Sequence, residues 1–267
     1  MTAAVETTEP GVHFGLVELD LLAAHAGVPF PFPLRVPTFG RIPGERDVLL
    51  NTAGRALRWR GLADEQGPAG AAAGLVTALR EHRSTVDLVL TSPDGTLGVV
   101  AMVYRSWALL CHQRLDGDPT STVRIRRIAE TALTRELLAL IPDLAPARSI
   151  PITLPAKVLE ADVDDVEDDA ERQRRLRAVV RDHGGDPAVL DRLAALLAAL
   201  TGRGQLGATT RSRGVLTRTG PELSWLDSPQ GRVRITRTDN GWVSVNPLRQ
   251  ADLRSALEGL ASLARTR

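Results

Sequence analysis

The chain has 267 residues, and 33 Lys and Arg against 32 Asp and Glu leave a formal net charge of +1. With 43% hydrophobic and 24% charged residues it has a globular composition, long enough for one large domain or two fused units. So neutral a total lacks the positive field of a dedicated nucleic-acid binder, and 3% aromatics provide few platforms for base stacking.

Residues 1–12 are polar and acidic without hydrophobic period, and read as a flexible N-terminal tail. Val17 to Ala26 reads as a strand end running into a short helix, stopped by Gly27. The run Pro29-Phe30-Pro31-Phe32-Pro33 must be extended, because each proline fixes its own φ and biases its predecessor away from helix. Arg46 to Gly61 is predicted helical, with Val48, Leu49, Thr52, Ala56 and Trp59 on one side, and Ala69 to Arg80 is a second helix. Strands follow at Thr85–Thr91, Thr96–Tyr104, Trp107–Leu115 and Thr120–Ile125, the first two joined by the turn Ser92-Pro93-Asp94-Gly95. Arg127 to Leu140 returns to helix and ends before Pro142.

The second half repeats this plan. Val163 to His183 and Pro187 to Leu200 are predicted helices, the latter with Leu190, Leu193, Leu197 and Leu200 at helical spacing. Short strands are expected at Gln205–Ser212, Val215–Arg218, Leu223–Asp227, Arg232–Arg237 and Trp242–Asn246, separated by Gly- and Pro-bearing turns. A closing helix, Arg249 to Ala264, aligns Leu253, Ala256, Leu257, Leu260 and Leu263. Corresponding features lie roughly 120 residues apart, which predicts a duplicated α+β unit rather than a solenoid. The halves are residues 13–150 and 151–267, forming one integrated domain, with a hinge near Pro142 to Glu160. Meander loops this short leave no room for βαβ crossovers, so the sheet is expected to be antiparallel.

The chemistry-bearing motifs mostly cancel. Lys157 is the only lysine and has no Gly-rich phosphate cradle, so a Walker-type loop or Schiff-base chemistry is nearly excluded. Cys111 is alone and cannot form an intramolecular disulfide, which is compatible with a reducing compartment. No Lys or Arg precedes Arg35, which is the wrong start for a secretory signal, and apolar runs such as Leu193 to Leu200 are too short to span a bilayer. A cytoplasmic protein without membrane insertion is expected. Gly202-Arg203-Gly204-Gln205-Leu206-Gly207 spells GxGxxG, but it lies between a helix end and a strand start, the reverse of the order that cradles pyrophosphate. His13, His25, His82, His112 and His183 show no metal-ligand spacing, and no cofactor is implied. Cys111 and His112 are strand neighbours and point to opposite faces. Eight acids between Glu160 and Glu171 precede Arg172, Arg174, Arg175, Arg177 and Arg181, a polarity that complements a helix dipole.

Arg211, Arg213, Arg218, Arg232, Arg234 and Arg237 mark the second meander, with Val233 and Ile235 interleaved. One sheet face would then be apolar and the other rich in guanidinium, either a solvated face or a recognition surface for an acidic partner.

Several strings, taken in order, resemble the EspG proteins that assist ESX (type VII) secretion in actinobacteria. They are Trp59-Arg60-Gly61-Leu62-Ala63-Asp64, Leu154-Pro155-Ala156, the GxGxxG string, Leu226-Asp227-Ser228-Pro229-Gln230-Gly231-Arg232-Val233, and Trp242-Val243-Ser244-Val245-Asn246-Pro247. The resemblance implies a pseudo-two-fold α+β fold, an antiparallel sheet flanked by two helical bundles. It implies a non-catalytic cytosolic chaperone that grips the helical tip of PE–PPE heterodimers, or of other small helical type VII substrates, and keeps a sticky surface covered. In the family a loop between two first-half strands and the second helical bundle make the grip. That loop corresponds to Ser92, Pro93, Asp94 and Gly95 here, and it is short. The partner-binding candidates are therefore this turn together with Arg211, Arg213, Arg218, Arg232 and Arg234. A homodimer stays open. The rival readings are a small-molecule enzyme using Asp87 or His112, and an arginine-faced nucleic-acid binder.

Overall fold

The computed structural model describes residues 11–265 except 43, 119, 149–150, 161–168, 213 and 239. In chain order the first half runs β1 (Val12–Gly15), α1 (Leu16–Ala26), α2 (Glu45–Trp59), α3 (Gly70–Glu81), β2 (Ser84–Ser92), β3 (Gly95–Tyr104), β4 (Trp107–Arg114), β5 (Thr122–Ala129) and α4 (Leu133–Leu138). The second half runs β6 (Ile152–Pro155), α5 (Lys157–Glu160), α6 (Asp169–Asp182), α7 (Ala188–Ala198), β7 (Gly202–Ser212), β8 (Val215–Arg218), β9 (Leu223–Ser228), β10 (Gly231–Arg237), β11 (Trp242–Pro247) and α8 (Gln250–Arg265).

Each half has the same wiring. An edge strand comes first, then helices, then a meander, then a closing helix. In both, the edge strand returns to pair antiparallel with the last meander strand: β1 with β5, and β6 with β11. Two hairpins, β2–β3 in the first half and β9–β10 in the second, close alike: Ser92 pairs Gly95 and Ser228 pairs Gly231, each across a Pro-led turn, and both glycines have φ 116. A proline at the first turn position and a glycine at positive φ at its close suit a tight reversal. The fold is thus α+β with antiparallel strand pairing, as the sequence predicts.

The chain divides into two compact units. Unit 1 comprises Met1–Ile141, Leu206–Glu222 and Leu257–Arg267; unit 2 comprises Pro142–Gln205 and Leu223–Ala256. In unit 1 the strand order is β1-β5-β4-β3-β2-β7, with β8 paired to β7. One sheet face, through Val100, Met102, Leu109, Cys111 and Ile125, packs with Leu19, Leu22, Leu57, Leu75 and Leu79 from α1–α3. The opposite face is also closed, with Val86, Leu88, Val99, Ala101, Val103 and Leu110 all at 0% exposure. Strands buried on both faces lose alternation, which is why β3 reads as a continuous apolar run. On that second face Ser84 Oγ donates to Ala264 O of α8 at 2.6 Å. In unit 2 the order is β7-β9-β10-β11-β6, and Leu226, Val233, Val243 and Val245 pack with Val180, Val189 and Leu190 of α6 and α7.

Several boundaries differ from the sequence reading. Val12 opens β1 instead of closing the tail, whose residues 1–10 lie outside the described residues. Val17–Ala26 is helical throughout, with no strand end, because Glu18 reaches back to the Gly15 amide at 2.9 Å and starts the helix. β5 continues to Ala129, shortening the helix that follows. β6 and α5 occupy the region read as a hinge. Most of the acidic run, 161–168, lies outside the described residues. On α2 the predicted face is reversed: Ala53 and Leu57 are buried, while Val48 and Trp59 are 66% and 89% exposed.

Candidate partner-binding surface

The turn Ser92–Gly95 caps the β2–β3 hairpin of unit 1, and Ser92, Pro93 and Asp94 are exposed. Side chains from the end of β4 brace it. Arg114 donates to the Asp94 carbonyl and, through Nε, to Asp116 Oδ2 at 2.8 Å, while Asp116 Oδ1 accepts from the Thr96 amide at 2.9 Å. The Thr96 amide and Arg114 hold the Asp116 carboxyl below the ordinary range. The turn is a fixed knob.

The β7–β8 hairpin carries the next candidates. All four residues of β8 are exposed, Val215 at 61% and Leu216 at 38%. Arg218 grips the buried Asp87 with both terminal nitrogens, the second at 3.1 Å, and donates through Nε to Glu222 at 2.6 Å. Its guanidinium also lies 5.8 Å from the Phe32 ring centroid. Burial pushes the Asp87 carboxyl up and the Arg218 contact pulls back against it, while that same contact raises Arg218 further. Gly207 leaves room for this pair, since a β-carbon there would come within 2.6 Å of Arg218 Nη2. Arg211 Nε donates to His82 O at 3.0 Å, and the Arg211 amide to Arg83 O at 2.7 Å. Arg213 lies outside the described residues.

These two groups are not gathered together. Arg211 sits level with the start of β2 and Ser92 closes it, nine residues of strand apart, or about 30 Å at strand rise.

Arg232 and Arg234 belong to unit 2. The expected alternation holds, for Val233 and Ile235 pack into the helix-covered core. The other half of that expectation needs correction: Arg232 is only 1% exposed and cannot present its charge to a partner. Its guanidinium grips Asp227 at 2.7 and 2.9 Å, donates to Pro142 O at 3.0 Å and lies 5.5 Å from the Trp225 centroid. A fully buried charge has to be paired in this way, because its desolvation is otherwise uncompensated. Arg234 is half-buried. With Arg218 and Arg232 both committed to carboxylates inside the fold, the meander does not offer a row of guanidinium groups to phosphates.

The GxGxxG string is the first part of β7, a strand with no helix start after it. Asp87 and His112 do not meet either. Asp87 is in register with Val100 and Cys111, whereas His112 is in register with Val99, one residue out of step and so on the opposite face. Burial, with Arg124 and Arg126, lowers the His112 pKa to about 4. Two cavities of about 460 and 360 Å³ open on unit 1; the larger is lined by Leu16, Leu34, Phe39 and Gln113 among others, the smaller by Val12, Gly74, Trp107 and Arg127 among others. Neither includes Asp87 or His112. Among the described residues no group of three His, Cys, Asp or Glu is placed to hold a metal, and no helix is long and apolar enough to cross a membrane.

What sequence reasoning missed is the exposed apolar surface. Val215 and Leu216 on β8, Leu197 at 49% on α7, and Trp59 and Val48 on α2 all face outward. The four residues Val-Leu-Thr-Arg of β8 carry no alternation, and that lack of pattern was the available signal.

The fold and surface describe an α+β protein whose buried charges are matched internally and whose apolar side chains reach solvent in separate patches. Its family is defined by sequence: the EspG family model matches residues 16–259, and the chain belongs to the EspG family. Among solved structures it is similar to the Mycobacterium tuberculosis type VII secretion system chaperone EspG5 in complex with the PE25–PPE41 dimer. The TM-score is 0.63 at 12% identity, covering 94% of this chain and 95% of that one. A second match, full-length peroxisomal multifunctional enzyme type 2 from Drosophila melanogaster, has 15% identity over 90% of this chain and 48% of that one, and a TM-score of 0.15, too low to carry any argument. No curated protein sequence matches significantly.

Proposed function

We propose that this EspG-family chain is a cytosolic, non-catalytic chaperone of ESX (type VII) secretion that binds a small helical heterodimer of the PE–PPE kind. The observation that carries the reading is the family match over 16–259, joined to a fold shared end to end with a chaperone solved on such a dimer. The physical logic is direct. A helical substrate with an apolar tip stays in solution only while that tip is covered, and a carrier needs exposed apolar side chains on a rigid frame to cover it. The contact set comprises the braced turn Ser92–Gly95, Arg211 and Arg218, and the exposed Val215 and Leu216 beside them on β7 and β8. Arg234, half-buried in unit 2, is a separate candidate, and Arg232 leaves the set. The non-catalytic part of the reading is supported by Asp87 and His112 standing on opposite faces and lining neither of the two unit 1 cavities described above.

The test is co-expression with PE–PPE-type pairs encoded in the same genome. A stoichiometric ternary complex on gel filtration is expected, weakened at least tenfold by Leu216→Asp or Asp94→Arg. Failure to capture any such pair, with the chain itself folded, overturns the proposal.

A further inference from the structure

α2 carries an unoccupied face whose occupant its own charge pattern names. The helix is 15 residues long, or about 22 Å at helical rise. Its inner side is settled: Ala53 and Leu57 are buried, Arg46 Nη1 donates to Asp20 at 2.7 Å, and the adjacent Arg60 pairs with Glu18 at 2.8 Å. The outer side presents Glu45, Val48, Thr52, Arg55 and Trp59. These follow one another at steps of three and four, the spacing of a seam between two packed helices. Trp59 is 89% exposed, Val48 66%, and Ile42, just before the helix, 68%. A tryptophan this bare has its largest apolar surface in water.

Charge is sorted along this face. Glu45 and Asp47 stand in the first turn, and Arg55 and Arg58 toward the end. Among the described residues Arg55 and Arg58 have no acidic partner: Arg55 donates only to Thr52 Oγ1, at 3.4 Å. A face that is acidic at one end and basic at the other is complementary to itself when turned end for end. Parallel packing would set the arginines against each other. Two-fold antiparallel packing sets them against the carboxylates and places the small Thr52 side chains at the axis.

We propose that the chain self-associates through antiparallel α2–α2 packing about a two-fold axis at Thr52. Trp59 of each copy covers Val48 and Ile42 of the other, and Arg55 and Arg58 lie against the other copy's Asp47 and Glu45. The Arg55 stem packs on the partner's Val48 while its head reaches the carboxylates.

Sedimentation velocity of the full chain across the micromolar range tests this, with circular dichroism confirming that each variant is folded. The expected result is a monomer–dimer equilibrium that Trp59→Ser weakens at least tenfold. Glu45→Arg/Asp47→Arg alone and Arg55→Glu/Arg58→Glu alone each give monomers, because both ends of the face then carry one sign. Mixing those two variants restores a dimer, since the all-basic face now meets the all-acidic one. A chain that stays monomeric throughout the range overturns the proposal, as does a dimer insensitive to Trp59→Ser, or failure of the mixture to associate. A monomer in which Trp59→Ser weakens capture of a PE–PPE-type pair assigns the face to cargo and likewise overturns it.

Discussion

Trp225 lies flat against Gly204. A β-carbon built on Gly204 would sit inside van der Waals contact with three atoms of the indole ring, and Trp225 itself is 1% exposed. The GxGxxG string therefore records close packing: Gly204 is bare to admit an indole, and Gly207 to admit the guanidinium of Arg218. Glycine here serves side-chain approach, not a positive φ and not a phosphate.

Gly204→Ala should accordingly destabilise the protein by about 1–3 kcal/mol, the usual cost of forcing extra volume into a packed core. The atoms met belong to a rigid buried ring, which cannot swing aside as a flexible side-chain tip can. Gly74→Ala is the control, since that helical glycine has nothing within 4 Å of an added β-carbon. It should stabilise by about 0.5–1 kcal/mol through helix propensity alone. Urea denaturation of the two variants beside the parent reads both signs.

Burial holds the Asp87 carboxyl above its ordinary range, with Arg218 pulling it back only partway. A carboxyl that binds its proton more tightly when folded than when unfolded favours the fold at low pH. That contribution is complete below the unfolded pKa and is lost as pH rises through the folded one. Asp87→Asn removes the titration. The stability difference between parent and variant should therefore move in the parent's favour as pH is lowered from neutral into the carboxylate range. Denaturant unfolding at a series of pH values measures it, and a flat or opposite slope would contradict the burial account.

The same buried pair shows where sequence reading stops. Asp87 and Arg218 are 131 residues apart in the chain, and nothing in the alternation of β2 or in the short β8 joins them. The hairpins were legible because Ser-Pro-Asp-Gly and Ser-Pro-Gln-Gly can do little other than turn. β6 was not, for Ile152–Pro155 is four residues beside prolines and offers one alternation, Ile152 and Leu154 in and Thr153 out. α2 misled in a more instructive way. Its apolar residues suggested a core face through Val48 and Trp59, yet packing selected Ala53 and Leu57 and left Val48 and Trp59 outside.

The turn that is proposed to meet cargo depends on Asp116. Its carboxylate is held low by the Thr96 amide and by Arg114, so it strengthens the hairpin end above the unfolded pKa and stops doing so as pH falls through the folded value. Asp116→Asn should speed hydrogen exchange at the Thr96 amide near neutral pH while leaving the core amides of β3 protected. It should also weaken cargo capture without altering the circular dichroism. Unchanged exchange at Thr96 would mean that the turn keeps its shape without the brace.

Trp59 and Trp225 are opposite extremes, 89% and 1% exposed. Trp59→Ser in dilute solution should change stability by no more than about 0.5 kcal/mol, as for surface positions without a cap or buried partner. Trp225→Ala should cost about 3–5 kcal/mol, because it empties a ring-sized space beside Gly204 and removes the surface over which Arg232 lies. Acrylamide quenching distinguishes the two directly. The readily quenched, red-shifted part of the tryptophan emission should fall sharply in Trp59→Ser, leaving the smaller share from half-buried Trp107 and Trp242, and survive in Trp225→Ala wherever that variant remains folded. If Trp59→Ser instead costs several kcal/mol in dilute monomer, the outward orientation of the α2 face is wrong, and the self-association built on it fails with it.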